Sequence, residues 1–177
     1  MRKVFLALAL SLSATPSLAG SNDFSTGPII EGYGPAALVE SAEQIPADLR
    51  FKIAFDAAED SDDLNRTLVS AARFLNMHGK AGIDSSRIDL AVVIHGGAVM
   101  DILSEDAHKA RKDGATNPNA SLVAALQEQN VRIILCGQTA AYRDVTSEDL
   151  LPGVEVAISA MTAHAQLQQS GYTLNPF

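Results

Sequence analysis

One cysteine stands in 177 residues, so the chain can form no disulfide within itself. Tryptophan is absent and aromatics make up only 5% of the chain, which leaves few stacking platforms for bases or sugars. Basic residues are outnumbered, 13 Lys and Arg against 21 Asp and Glu, for a formal charge of −8. An acidic chain without a basic stripe argues against nucleic acid and against anionic membrane surfaces as partners. Several site motifs are missing too. There is no G-x-S-x-G nucleophile elbow to go with His95-Gly96-Gly97-Ala98, and no Walker loop. Gly32-Tyr33-Gly34 lies ahead of the first strand, in the wrong context for a dinucleotide. The acidic run 60–63 lacks the glycine and terminal glutamate of a calcium loop.

What is present begins with a long apolar run, 4–12, interrupted only by Ser11 and preceded by Arg2 and Lys3. Ser17-Leu18-Ala19 places small residues where a signal peptidase inspects the chain, so 1–19 is read as a cleavable export signal. The run is too short for a permanent anchor, which needs about 20 residues. The expectation is a soluble periplasmic protein with a single cysteine. Such a thiol is buried and inert, reactive, or bridged to another chain.

Residues 20–50 are rich in Gly, Pro and Ser and read as an irregular arm, with Ile29, Ile30, Tyr33 and Leu38 as its packing residues. Residues 51–177 form the domain. Strands are expected at Phe51–Ala57, 90–95, 131–136 and 154–158, with a short last one at 172–176. Helices are expected at 64–78, ended by Gly79 and Gly82, then at 99–112, at 120–129 capped by Asn119, and from Ser159 to Gln169. Thr146 and Asp149 have capping-box spacing. Apolar strands alternating with helices predict an α/β fold, a mostly parallel sheet of about five strands with helices on both faces.

In such sheets working residues gather at the carboxyl ends of strands, and Asp56, His95 and Cys136 fall there. His95 and Cys136 can meet if their strands are neighbours. If residues 137–143 form a helix, amide dipoles face the thiol, Arg143 adds charge, and Gly137 leaves room at the sulfur. A packed core cysteine fits the spacing equally well. His95 is either functional or a histidine bonded at a strand end, and Asp56 reads as a turn or helix cap. Asp101, Glu105 and His108 share a helical face with metal-ligand spacing, but a solvated charged face explains them better.

Three stretches add a resemblance: Asn130-Val131-Arg132-Ile133-Ile134-Leu135-Cys136-Gly137, Leu150-Leu151-Pro152-Gly153-Val154-Glu155-Val156, and Leu167-Gln168 with Gly171-Tyr172. With Phe51-Lys52-Ile53-Ala54-Phe55-Asp56 and Val93-Ile94-His95-Gly96, they resemble the DsrE/DsrF-like family of sulfur-relay proteins, in its exported, single-cysteine branch. The resemblance implies a three-layer α/β/α domain assembling into trimers or hexamers. It implies that Cys136 carries a persulfide, with His95 as its companion. The expected activity is sulfur binding and transfer from a sulfur donor to an acceptor thiol protein. No cofactor is expected, the cysteine itself being the carrier. The reading from a different class is a non-enzymatic oligomeric binding protein with a structural cysteine.

Overall fold

A computed structural model describes residues 19–41 and 44–176; the export signal expected at 1–19 lies almost wholly outside them. Five strands, β1 (Phe51–Ala57), β2 (Ile88–Ile94), β3 (Arg132–Cys136), β4 (Glu155–Ala157) and β5 (Thr173–Asn175), form one sheet. Every pairing is parallel and the order is β4-β3-β2-β1-β5. The helices are α1 (Arg66–Lys80), α2 (Glu105–Arg111), α3 (Ala120–Glu128), α4 (Gly137–Tyr142) and α5 (Ala160–Gln169). Among the described residues no helix is long and apolar enough to cross a membrane.

The handedness of the crossovers decides which helix covers which face. From β1 to β4 the chain steps always in one direction across the sheet. Right-handed connections therefore place the intervening helices on one side. The large core lies there: Leu68, Ala71, Ala72 and Leu75 of α1 and Leu122, Val123 and Leu126 of α3 pack on Phe55, Val92, Ile94, Ile133 and Leu135. The last connection runs backwards, from edge strand β4 to β5 at the opposite edge. The same hand then puts α5 on the other face, where Ala163 and Leu167 cover Ala54, Ala91, Val93 and Ile134. Strand alternation splits β2 between these two cores, which is why it reads as a continuous apolar run.

The arm packs on α1. Asn76, wholly buried in that helix, accepts the amides of Ile29 and Ile30 at 3.1 and 2.7 Å and donates to the carbonyls of Ile30, Tyr33 and Gly34. Ile29, Ile30 and Tyr33 join the core as expected, whereas Leu38 is exposed.

Several local expectations are corrected. Gly79 does not end α1 but lies inside it, because a side chain there would strike Ile29 and Pro28 of the arm; Gly82, at φ +78°, follows the end. The expected helix at 99–112 is two pieces, 3-10 turns over Gly96–Ile102 and then α2. Ser104 separates them and caps α2 with its hydroxyl. Asn119 sits at the cap position of α3, but its side chain is spent elsewhere, on Asp101. The cap at Ser159 and the Thr146–Asp149 capping box are present. β4 is an exposed edge strand of three residues rather than a buried one.

Candidate functional site

Register places the chemistry. Asp56 pairs with Val93, and Val93 with Ile134. Side chains two residues apart on a strand share a face, so Asp56, His95 and Cys136 all emerge on the face that α5 covers. They do so at the carboxyl edge, just beyond the small core of Ala54, Ala91, Val93 and Ile134. There they line an open cleft of about 310 Å³ with Gln138, Thr139, Ser159, Ala160, Met161 and His164.

Asp56 is the hub. Its two oxygens are each taken by a histidine, His95 Nε2 at 3.0 Å and His164 Nε2 at 2.7 Å. Burial works to raise the carboxyl, but the hydrogen bonds and charge of the two imidazoles outweigh it and hold Asp56 below the ordinary aspartate value. The reading of Asp56 as a cap is therefore corrected: Asn65 caps α1, and the Asp56 carboxylate belongs to the cleft.

Cys136 ends β3 and opens α4 directly, in extended conformation, with no intervening loop. It is buried, yet it lines the cleft. Burial pushes the thiol up, but the Thr139 and Ala160 amides, the Thr139 hydroxyl and the Gln138 amide more than offset this and leave it below its ordinary value. The sulfur thus faces the first turns of two helices, α4 and α5. The Thr139 hydroxyl also accepts the Gly96 amide at 3.2 Å, joining the exits of β2 and β3. The strands of His95 and Cys136 are neighbours as the contact requires, but His95 Nε2 is directed at Asp56 and not at the sulfur.

One glycine role differs from expectation. A Cβ on Gly137 would come within 2.6 Å of the Ala157 carbonyl, so this glycine lets β4 and α4 pack closely and does not make room at the sulfur. Gly96, at φ +57°, lets the chain after His95 pass under the Ala58 carbonyl, 2.9 Å from where a Cβ would stand. Arg143 closes the far end of α4 and does not line the cleft.

The charged face of Asp101, Glu105 and His108 does not exist. The break at Leu103 and Ser104 separates Asp101 from the other two. Asp101 is 0% exposed and accepts from Asn65 Nδ2 at 2.7 Å and Asn119 Nδ2 at 3.0 Å. Its carboxyl is pushed up to about 7, chiefly by burial. His108 is buried with Nδ1 on the Ala115 carbonyl, and Glu105 is half-buried, paired with Lys109 at 2.8 Å. Among the described residues no group of three or more His, Cys, Asp or Glu is arranged to hold a metal ion.

Sequence reading missed His164. The signal was there: in α5 the buried Ala163 and Leu167 mark the sheet-facing stripe, and a histidine beside Ala163 on that stripe is out of place as mere packing.

The DsrE/DsrF-like family model matches residues 52–176, most of the chain and all but the first residue of the sheet. The chain belongs to the DsrE/DsrF-like family. No curated protein shows a significant match. Among solved structures, a DsrE-like fold is shared with the MTH1491 protein of unknown function from Methanobacterium thermoautotrophicum. It is 21% identical at a TM-score of 0.54, over 72% of this chain and 99% of that one. The ychN protein of E. coli is similar at 21% identity and a TM-score of 0.48, with the same two coverages. The family is generally connected with sulfur relay, and its α/β fold is the one observed here.

Proposed function

We propose that this DsrE-family chain is a sulfur-binding and sulfur-transfer protein that carries a persulfide on Cys136 and works in the periplasm. The observation supporting this most directly is the setting of the sulfur: buried at a strand end, faced by amides that begin two helices, and open to a cleft that also holds His95. The Cys136 thiolate attacks the outer sulfur of a sulfane donor. A new S–S bond forms as the donor's own S–S bond breaks, and the electron pair leaves with the departing sulfide, thiolate or sulfite. An acceptor thiolate then attacks the outer sulfur of the persulfide, and Cys136 departs as a thiolate onto the same amides. His95 takes up or supplies the proton at the cleft. The sulfane sulfur changes hands with no net oxidation, so the cycle calls for no cofactor. Export is supported by the basic, apolar and small-residue order of 1–19.

The test is intact mass after incubating the mature protein with thiosulfate or polysulfide, beside Cys136→Ser. Uptake of one sulfur atom, reversed by reductant and absent from the variant, supports the carrier. No adduct, with Cys136 shielded from thiol reagents, sinks it.

A second reading, an oligomeric binding module, is favoured by the exposed apolar side chains next to the cleft. Ile158 is 76% and Met161 80% exposed. A trimer or hexamer by light scattering, together with an unreactive thiol, would favour it.

A further inference from the structure

We propose that Asp56 and His164 form a positioning pair for His95, fixing its ring with a proton on Nε2 and leaving Nδ1 as the nitrogen that exchanges protons at the cleft. The inference rests on Cys136 being a working thiolate. It begins from hydrogen-bond arithmetic. An ionised carboxylate only accepts, so two imidazole nitrogens at 3.0 and 2.7 Å from its separate oxygens must both be N–H donors. Each ring then carries a proton on Nε2, which leaves Nδ1 as the position for any further exchange.

The two rings differ in what surrounds that acceptor. His164 Nδ1 is buried with no partner. A second proton there would bury an unsatisfied N–H, a cost of about 1–3 kcal/mol before any charge is counted. His164 is thus held as a fixed donor through Nε2. The His95 side chain is 32% exposed and lines the cleft, so its Nδ1 can gain and lose a proton. The second imidazole serves to occupy the other carboxylate oxygen, so that Asp56 stays ionised and can turn only one face to His95. The titratable groups around His95 are Asp56 from β1, Cys136 from β3 and His164 from α5. Glu59, Asp60 and Asp63 stand in the β1–α1 loop behind Asp56, and Lys112 engages Asp60 at 2.7 Å. α4 contributes only the uncharged Gln138 and Thr139 to the cleft.

The experiment combines ¹⁵N NMR of the histidine rings with the pH dependence of Cys136 alkylation by iodoacetamide, in the wild-type mature chain, Asp56→Asn, His164→Phe and His164→Gln. Wild type should show both rings as the Nε2–H tautomer. His164→Phe, which removes one donor, and Asp56→Asn should slow alkylation near pH 7 by about three- to tenfold while leaving the limiting rate at high pH, as expected when only protonation is disturbed. His164→Gln, which returns an N–H near the Nε2 position, should recover most of the loss. An Nδ1–H tautomer on either ring in wild type overturns the proposal, and so do superimposable profiles in well-folded variants. Should a variant fail to fold, the wild-type tautomers still decide. Neither readout requires sulfur uptake, so a wild type that takes up no sulfur but shows the expected tautomers would refute the carrier reading separately.

Discussion

His164 Nε2 lies 2.7 Å from an oxygen of Asp56 across 108 residues of chain. The contact joins α5, which covers the small core, to the end of β1, and Asp56 in turn holds His95. The cleft is therefore as well determined as the packing of α5, and disturbing that helix should be read out at the sulfur.

Cys136 should titrate below an ordinary thiol. The midpoint of its alkylation rate against pH is expected under the usual value of about 8.5. Thr139→Val keeps the shape but loses both the hydroxyl at the sulfur and the acceptor of the Gly96 amide. The midpoint should then rise, with alkylation near pH 7 slowed about three- to tenfold, the loss of one charge-assisted hydrogen bond. An unchanged midpoint would mean the hydroxyl does not stabilise the thiolate.

Gly137→Ala should damage the site through packing. Its methyl would collide with the Ala157 carbonyl, which has little freedom because Cys136 pairs with Ala157 in the sheet. A loss of about 1–3 kcal/mol in urea unfolding is expected, typical of overpacking. Retained stability with normal reactivity would show that β4 yields easily.

Asp101 predicts a distinctive pH slope. Its folded value, about 7, lies above the unfolded value near 3.9, so folding favours the protonated form. Its contribution is fully present below about pH 4 and is lost as pH rises through about 7. Asp101→Asn removes that titration at the cost of one acceptor for Asn65 or Asn119. Wild type should therefore lose its advantage over the variant as pH rises over this window, measured as ΔG of unfolding. A difference independent of pH would contradict the raised value.

Asn76→Ala should release the arm. It strips five hydrogen bonds from 29–34 and leaves buried backbone groups without partners. We expect a loss of about 3 kcal/mol and faster proteolytic cutting within 20–50. A resistant arm would mean that the apolar contacts of Ile29 and Ile30 suffice.

Much of this was legible in the residues alone. The apolar runs of β1, β2 and β3 reveal a buried parallel sheet, because a strand covered on both faces has no polar alternation to hide. Asp56, His95 and Cys136 could be placed at one edge because parallel strands all end on the same side. The single cysteine singled out the candidate site, and the spread of matching stretches indicated the family. The tertiary structure decided the rest. No local pattern states that β2 lies between β1 and β3, or that the reversed step to β5 carries α5 to the opposite face. That step alone brings His164 to Asp56. It also turns Asp56 from an apparent cap into the hub of the cleft, while the pairing of β4 with β3 makes Gly137 a packing residue. Periodicity reports which side of an element is buried. What it is buried against depends on strand order and crossover hand, which arise only when the whole chain closes.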